Sequence, residues 1–275
     1  MSFPHKKELK KLTLTDEKKV YLDVKDGVGT IYINRPEKRN ALTYEMWVDL
    51  ARLVDECNEN SEIKVIVFRS TTDVAFSAGA DIGEFKTIRY TAEGAAKYND
   101  ATMVLEEKIA KSPKPSIAMI SGFCVGGGCE IAVACDFRFS DNSGRFGITP
   151  AKLGLIYNTP GTKNLVDLVG PAHAKDILFT GRIMEAEEAF QMGLINRIID
   201  KTQLEAETYQ FAKLICQNAQ MAVRGSKTII NRVLEGDVKD SEKTAELVLE
   251  SFESDDYREG VSAFLEKRKP NFTFS

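Results

Sequence analysis

The stretch GFCVGGGCEIAVACD, residues 122–136, limits what this chain can fold into more than any other. Gly126, Gly127 and Gly128 stand in succession, and the ionisable Glu130 follows at once inside an otherwise apolar run. Consecutive glycines lose more backbone entropy on folding than other residues, so in a packed region they mark a conformation, or a close approach, that a Cβ would block. A phosphate-cradling loop needs Lys followed by Ser or Thr directly after the glycines, where Cys129 and Glu130 stand here. A dinucleotide loop needs G-x-G-x-x-G, a spacing that GGGCE does not provide. The remaining ligand-binding reading is an oxyanion hole: without Cβ atoms, a substrate carbonyl can rest on the N–H of Gly127 at a helix N-terminus. Fixed donors and the positive helix end would stabilise the developing charge, and losing one such donor costs about 3 kcal/mol of transition-state stabilisation. Tight packing of strand against helix accounts for the glycines equally well on composition alone.

The surrounding pattern is α/β. VYLDVKDGVGTIYIN (20–34) reads as two alternating strands around an Asp26-Gly27 turn. TYEMWVDLARLVDECNEN (43–60) starts with Thr43 as N-cap and places Met46, Leu50, Leu53, Val54 and Cys57 on one helical face. IKVIVFRS (63–70) is continuously apolar and β-branched, as a strand covered on both faces is. A polar helix is predicted over 92–111, SPKP breaks it, SIAMISG forms a buried strand, and EIAVACD begins a helix after the glycines. Strand, glycines, helix is the order that aims backbone N–H groups at a ligand. FRFSDNSGRFG predicts one further strand, and the last third turns helical, with breaks at Gly170, Gly193 and Gly260. No internal repeat or linker is visible. Residues 1–200 are expected to form the α/β core and 201–275 a helical region lying on it or on a neighbouring subunit.

A second segment, AFSAGADIGEF (75–85), follows the strand 63–70 and again sets glycine among small apolar residues. It reads either as a surface loop or as the source of a second backbone donor, and two such loops would clamp one carbonyl. Composition narrows the chemistry. The net charge of −4 gives no reason to expect nucleic acid or an anionic membrane as partner. No run approaches a membrane span, and MSFPHKKELKKL carries charge with no apolar run after it, so a cytoplasmic protein is expected. Cys57, Cys124, Cys129, Cys135 and Cys216 are odd in number and include no CxxC, so buried thiols are expected rather than disulfides or a metal. With only His5 and His173 in the chain, a Ser-His-Asp or Cys-His site has almost no candidate base, which leaves carboxylates.

NRPEKRNAL, FSAGADI, GFCVGGGCEIAVACDF, FTGRIMEAEEAFQMGLINRII and EGVSAFLEKRKPNF, in this order across residues 20–272, resemble the crotonase (enoyl-CoA hydratase/isomerase) superfamily. The resemblance implies a spiral of ββα units with a helical C-terminal trimerisation region, and assembly as a homotrimer or dimer of trimers. It implies an acyl-coenzyme A thioester as substrate and no separate cofactor. The amides that hold the thioester oxygen would fall on Ala80 and Gly127, and the first catalytic glutamate on Glu130. Lys38, Arg39, Ala41, Ala78, Asp81 and Ile82 match positions lining the CoA moiety, and Phe264 and Lys267 match residues closing its nucleotide end from an adjacent subunit. The residues agree on the chemistry: a thioester gripped by two N–H groups acidifies its α-carbon and stabilises an enolate, with Glu130 as acid/base. Apolar surroundings raise the Glu130 pKa while a helix N-terminus lowers it, and Glu130 also reads as an N3 carboxylate serving unpaired helix amides.

One segment departs from that family. Two-glutamate hydratases resemble FGxPExxLGxxPGxGGT, whereas this chain reads FGITPAKLGLIYNTPGTKNL, with Pro150 at the second glutamate. Lys152 and Asp141 are near in sequence. TPAKLGLIYN and SDDYREGVSAFLEKRKPNF are instead similar to the methylmalonyl-CoA decarboxylase branch, which places a tyrosine at the Tyr157 position by the reacting carboxylate, but has a histidine where Ala80 stands. Tyr157 otherwise reads as a packing residue with its hydroxyl in water. The expected activity is therefore a hydratase-like acyl-CoA lyase, with a decarboxylase second. A non-catalytic CoA-binding protein and a spiral-fold serine peptidase are readings from other classes.

Overall fold

The computed structural model describes residues 18–273; the start MSFPHKKELKKL, with His5, lies outside them. Strands β1 (Val20–Lys25) and β2 (Val28–Ile33) form an antiparallel hairpin. Asp26 and Gly27 between them take φ of 52° and 82°, the paired left-handed conformation that a two-residue turn needs to match strand twist. Helix α1 (Tyr44–Glu59) starts where Thr43 accepts a hydrogen bond from the Met46 amide, and it buries Met46, Trp47, Leu50, Leu53, Val54 and Cys57.

Three turns of strand, strand, helix follow. They are β3 (Val65–Ser70), β4 (Ala75–Ser77) and α2 (Ala92–Ala110); β5 (Ser116–Ile120), β6 (Phe123–Val125) and α3 (Gly127–Ala134); β7 (Phe137–Ser140), β8 (Arg145–Gly147) and α4 (Thr159–Thr180). The first strand of each turn joins a six-stranded sheet, order β1-β2-β3-β5-β7-β10 with β10 at Arg197–Ile198, parallel except for the hairpin. The second strand joins a four-stranded sheet, order β4-β6-β8-β9, in which only β9 (Met184–Glu185) runs antiparallel. Helix α5 (Ala186–Gln191) leads on to β10 (Arg197–Ile198). This is the expected spiral. Its repetition lies in backbone ladders rather than side-chain identity, which is why no repeat is visible in the sequence.

Both faces of the six-stranded sheet are covered. Ile66 and Phe68 join the core under α1 to α4, while Val65 and Val67 face Ile117, Phe139 and helix α6 (Leu204–Cys216). Alternation between two buried faces is what makes β3 continuously apolar. Helix α6 lies past residue 200 yet covers the sheet, so the chain after that point helps complete the core. Helices α7 (Gln220–Leu234), α8 (Glu242–Glu253) and α9 (Asp255–Leu265) follow. Among the described residues no helix is long and apolar enough to cross a membrane.

The sequence reading needs four corrections. FRFSDNSGRFG holds two strands, because Asp141 turns the chain by accepting from the Ser143 amide at 2.8 Å. Helix α3 begins at Gly127, not Glu130, since Gly126 is its N-cap. Gly170 kinks α4 with φ 73° and Gly193 turns with φ 80°, but Gly260 lies inside α9 and breaks nothing. Helix α2 is polar only on its outer face, and buries Tyr98, Leu105, Ile109 and the carboxylic Glu106.

Candidate active site

Strands β4 and β6 are parallel neighbours, so the loops leaving their C-terminal ends emerge side by side. Ala75 pairs with Phe123, and a bulge at Phe76 brings Ser77 opposite Cys124. A Cβ built on Gly127 would lie 3.6 Å from the Ala80 nitrogen, and one on Gly79 would lie 3.1 Å from the Gly127 nitrogen. The two loops are in contact. Among the described residues neither the Ala80 nor the Gly127 amide donates to another group of the chain, while the amides around them do: Asp81 to the Leu42 carbonyl and Gly126 to that of Gly147, each at 2.8 Å.

The three glycines have separate physical reasons. Gly126 takes φ 53° and ψ −125°, a conformation that L side chains rarely adopt. A Cβ on Gly127 would meet the Trp47 ring at 2.5 Å, and one on Gly128 the Ser77 carbonyl at 2.5 Å. Tight packing therefore explains Gly128, while Gly127 combines close approach with an unpaired amide at the start of a helix.

The cavity over these amides is lined by Ala78, Gly79, Ala80, Ile82, Gly126, Gly127, Glu130, Pro150, Tyr157 and Asn158, together with Trp47, Arg89, Tyr98 and others. Glu130 stands in the first turn of α3, and its own amide donates to the Gly126 carbonyl at 3.0 Å. One position past N3, it does not serve the unpaired helix amides. Burial, with the Glu106 carboxyl beside it, pushes the Glu130 pKa well above the usual carboxylate range; Arg89 opposes this. Of the two influences weighed from sequence, desolvation wins over the helix terminus.

Glu106 is the residue that sequence reasoning missed. It is fully buried on α2, its carboxyl neighbours that of Glu130, and its Oε1 accepts from Asn158 Nδ2 at 3.2 Å. Burial raises its pKa to about 7 against the lowering effect of Asn158 and Glu130. No local signal marks it, because a glutamate on an amphipathic helix ordinarily faces solvent. Tyr157 lines the cavity, but its hydroxyl is buried and meets no hydrogen-bond partner among the described residues, rather than lying in water. Burial, with Glu130 and Glu106 nearby, drives its pKa far up and keeps it a neutral phenol. Pro150 reaches the cavity where the family pattern has its second glutamate. Lys152 is exposed, and Asp141 is taken up by Ser121 and Ser143; neither lines the cavity.

Ala78 and Ile82 line the cavity mouth, but Asp81 is occupied otherwise: its carboxylate pairs with Arg35 at 2.6 Å and accepts from the Gly83 amide. The Arg35 hydrogen bond holds its pKa below the usual range. Lys38 and Arg39 are exposed on the adjoining loop. That loop is stitched to the donor loop by Ala78 N–H to the Arg39 carbonyl (2.9 Å) and Leu42 N–H to the Gly79 carbonyl (2.7 Å), and is closed on itself by Arg35 to the Ala41 carbonyl (2.9 Å). Buried Asn40, also unforeseen, fixes the loop by donating to Ser70, Ala75 and Phe76. Phe264 and Lys267 do not join this cavity within one chain; Phe264 is 84% exposed at the end of α9. All five thiols are free.

Known proteins match this arrangement along nearly the whole chain. The sequence model of the enoyl-CoA hydratase/isomerase family matches residues 23–274. A crotonyl-CoA hydratase of Syntrophomonas wolfei is 34% identical over 92% of this chain and 97% of its own. The crystal structure of an enoyl-CoA hydratase/isomerase family protein from Hyphomonas neptunium superposes with a TM-score of 0.92 at 39% identity, covering 94% of this chain and 99% of that one. An enoyl-CoA hydratase/carnithine racemase from Magnetospirillum magneticum superposes with a TM-score of 0.90 at 36% identity, covering 94% and 96%. With its paired donor loops, its glutamate at the head of α3 and these relatives spanning its length, the chain belongs to the enoyl-CoA hydratase/isomerase family of crotonase-type enzymes.

Proposed function

We propose that this enzyme adds water to a 2-enoyl-CoA thioester, with the thioester oxygen held by the amides of Ala80 and Gly127 and with Glu130 as the acid/base. The observation that carries the reading is the contact of the two turns at Ala80 and Gly127, whose amides are both without partners among the described residues, over a cavity that Glu130 lines. Glu130 as carboxylate takes a proton from water, the water oxygen bonds to the β-carbon, and the π electrons move into an enolate stabilised by the two N–H groups. Glu130 then returns that proton to the α-carbon, so one carboxyl suffices for both transfers and Pro150 is tolerated. Coenzyme A is part of the substrate, and no cofactor or metal takes part. Ala78 and Ile82 lie where the CoA arm would leave the cavity, beside the loop of Lys38, Arg39, Ala41 and Asp81. Phe264 and Lys267 would close its far end from a second copy in a trimer or dimer of trimers, with residues 201–275 supplying the trimer contacts.

A second reading, decarboxylation of an acyl-CoA that carries an α-carboxylate, is favoured by one observation: the Tyr157 hydroxyl by the cavity meets no partner among the described residues, while Pro150 supplies no carboxyl. One experiment separates the two. Incubated with crotonyl-CoA and then with methylmalonyl-CoA, the protein should add the mass of one water to the first and leave the second intact. Glu130→Gln should lower the hydration rate by at least about 100-fold. Release of propionyl-CoA with no hydration would install the decarboxylase reading, and full activity of Glu130→Gln would remove Glu130 from either.

A further inference from the structure

Glu106 belongs to no step of that reaction, and it does not line the cavity. It is fully buried, and Asn158 fixes its orientation: the asparagine Oδ1 accepts from the Gly161 amide at 2.7 Å, which turns its Nδ2 toward Glu106 Oε1. No N–H or hydroxyl among the described residues reaches Glu106 Oε2, and the Glu130 carboxyl is the neighbouring group. Two carboxyls can share a hydrogen bond only if one carries a proton, and both ionised would place like charges together where water is excluded. The groups facing the pair do not relieve this. Glu107 on α2 adds negative charge near Glu106. The hydroxyls of Tyr98 and Tyr157 near Glu130 are held neutral by burial. Arg89 is the one cation acting on Glu130. Its guanidinium stacks on Phe85 and Tyr98, donates to Asn99, and forms no ion pair among the described residues.

We propose that Glu106 is a positioning residue that shares one resident proton with Glu130, holding it on the buried side while the other Glu130 oxygen faces the cavity as the working carboxylate. This rests on the hydratase reading only for its kinetic consequence; the shared proton itself does not. In the cycle the water proton passes to Glu130 and on to the α-carbon, and the resident proton ends where it began. The segment that carries Pro150 at the family carboxylate's position also supplies Asn158, which holds Glu106.

The test is a carbon-13 NMR titration of the protein labelled at glutamate Cδ, in the wild type, Glu106→Gln, Glu106→Asp and, for assignment, Glu130→Gln. The wild type should show two coupled steps. In Glu106→Gln the like charge is gone and an amide N–H faces Glu130, so the Glu130 carbon should titrate at least about one pH unit lower. The acid limb of kcat with crotonyl-CoA should move down with it. Glu106→Asp, which restores a carboxyl one methylene shorter, should keep the coupling, and serves also if the glutamine variant does not fold. A Glu130 titration unchanged by Glu106→Gln, or uncoupled in Glu106→Asp, would overturn the proposal. The titration needs no turnover, so failure to hydrate crotonyl-CoA would refute the proposed function without touching this result.

Discussion

At the scale of single residues the site works by what is missing as much as by what is present. Gly127→Ala would set a methyl 2.5 Å from Trp47 beside the Ala80 amide. It should destabilise the fold by about 1–3 kcal/mol in urea unfolding and depress turnover out of proportion to that loss. The buried carboxyl has a separate signature. With its folded pKa raised from 4.5 to about 7, Glu106 binds its proton more tightly in the folded than in the unfolded chain. Stability is therefore highest below the unfolded value and is lost as pH rises through the folded one, by about 3 kcal/mol for this group. Glu106→Gln should flatten that slope, so that urea unfolding at pH 5 and pH 8 differs less than in the wild type. Glu130 itself was legible from sequence because its oddity is local: a carboxylate directly after three glycines inside an apolar run. Glu106 was not, since nothing in EEK distinguishes it from the exposed Glu107 that follows.

At the scale of elements, helices α1 and α2 hold the donor loop through a relay: Trp47 Nε1 donates to the Tyr98 hydroxyl at 3.0 Å, which donates to the Leu42 carbonyl at 3.1 Å. Leu42 is bridged to Ala80. Tyr98→Phe strands a buried indole N–H and should cost about 1–3 kcal/mol in urea unfolding. If the relay positions the Ala80 amide, kcat should fall as well, while thermal melts still show one cooperative transition. The hairpin, α1, β3 and β5 could be read from their periods because each buries residues in a regular pattern. The two strands inside FRFSDNSGRFG could not, as a short side-chain-supported turn leaves hydrophobicity almost continuous.

At the scale of the whole molecule, α8 and α9 leave Leu249, Phe252, Phe264 and Leu265 more than half exposed. That much apolar surface on consecutive helices is ordinarily covered by a partner. Light scattering should give a mass of three or six times 30.6 kDa, and a monomer would refute the assembly proposed above. The sequence alone pointed to the two glycine-bearing loops and to Glu130, because a missing Cβ and an ionisable group are properties of the residues themselves, and the resemblance of five segments in order pointed to the spiral family. Only the tertiary structure decided that the turns carrying Ala80 and Gly127 meet, and that α2 delivers Glu106 to Glu130. Strand register and helix packing are long-range choices, made by the joint burial of many side chains, and no local period carries them.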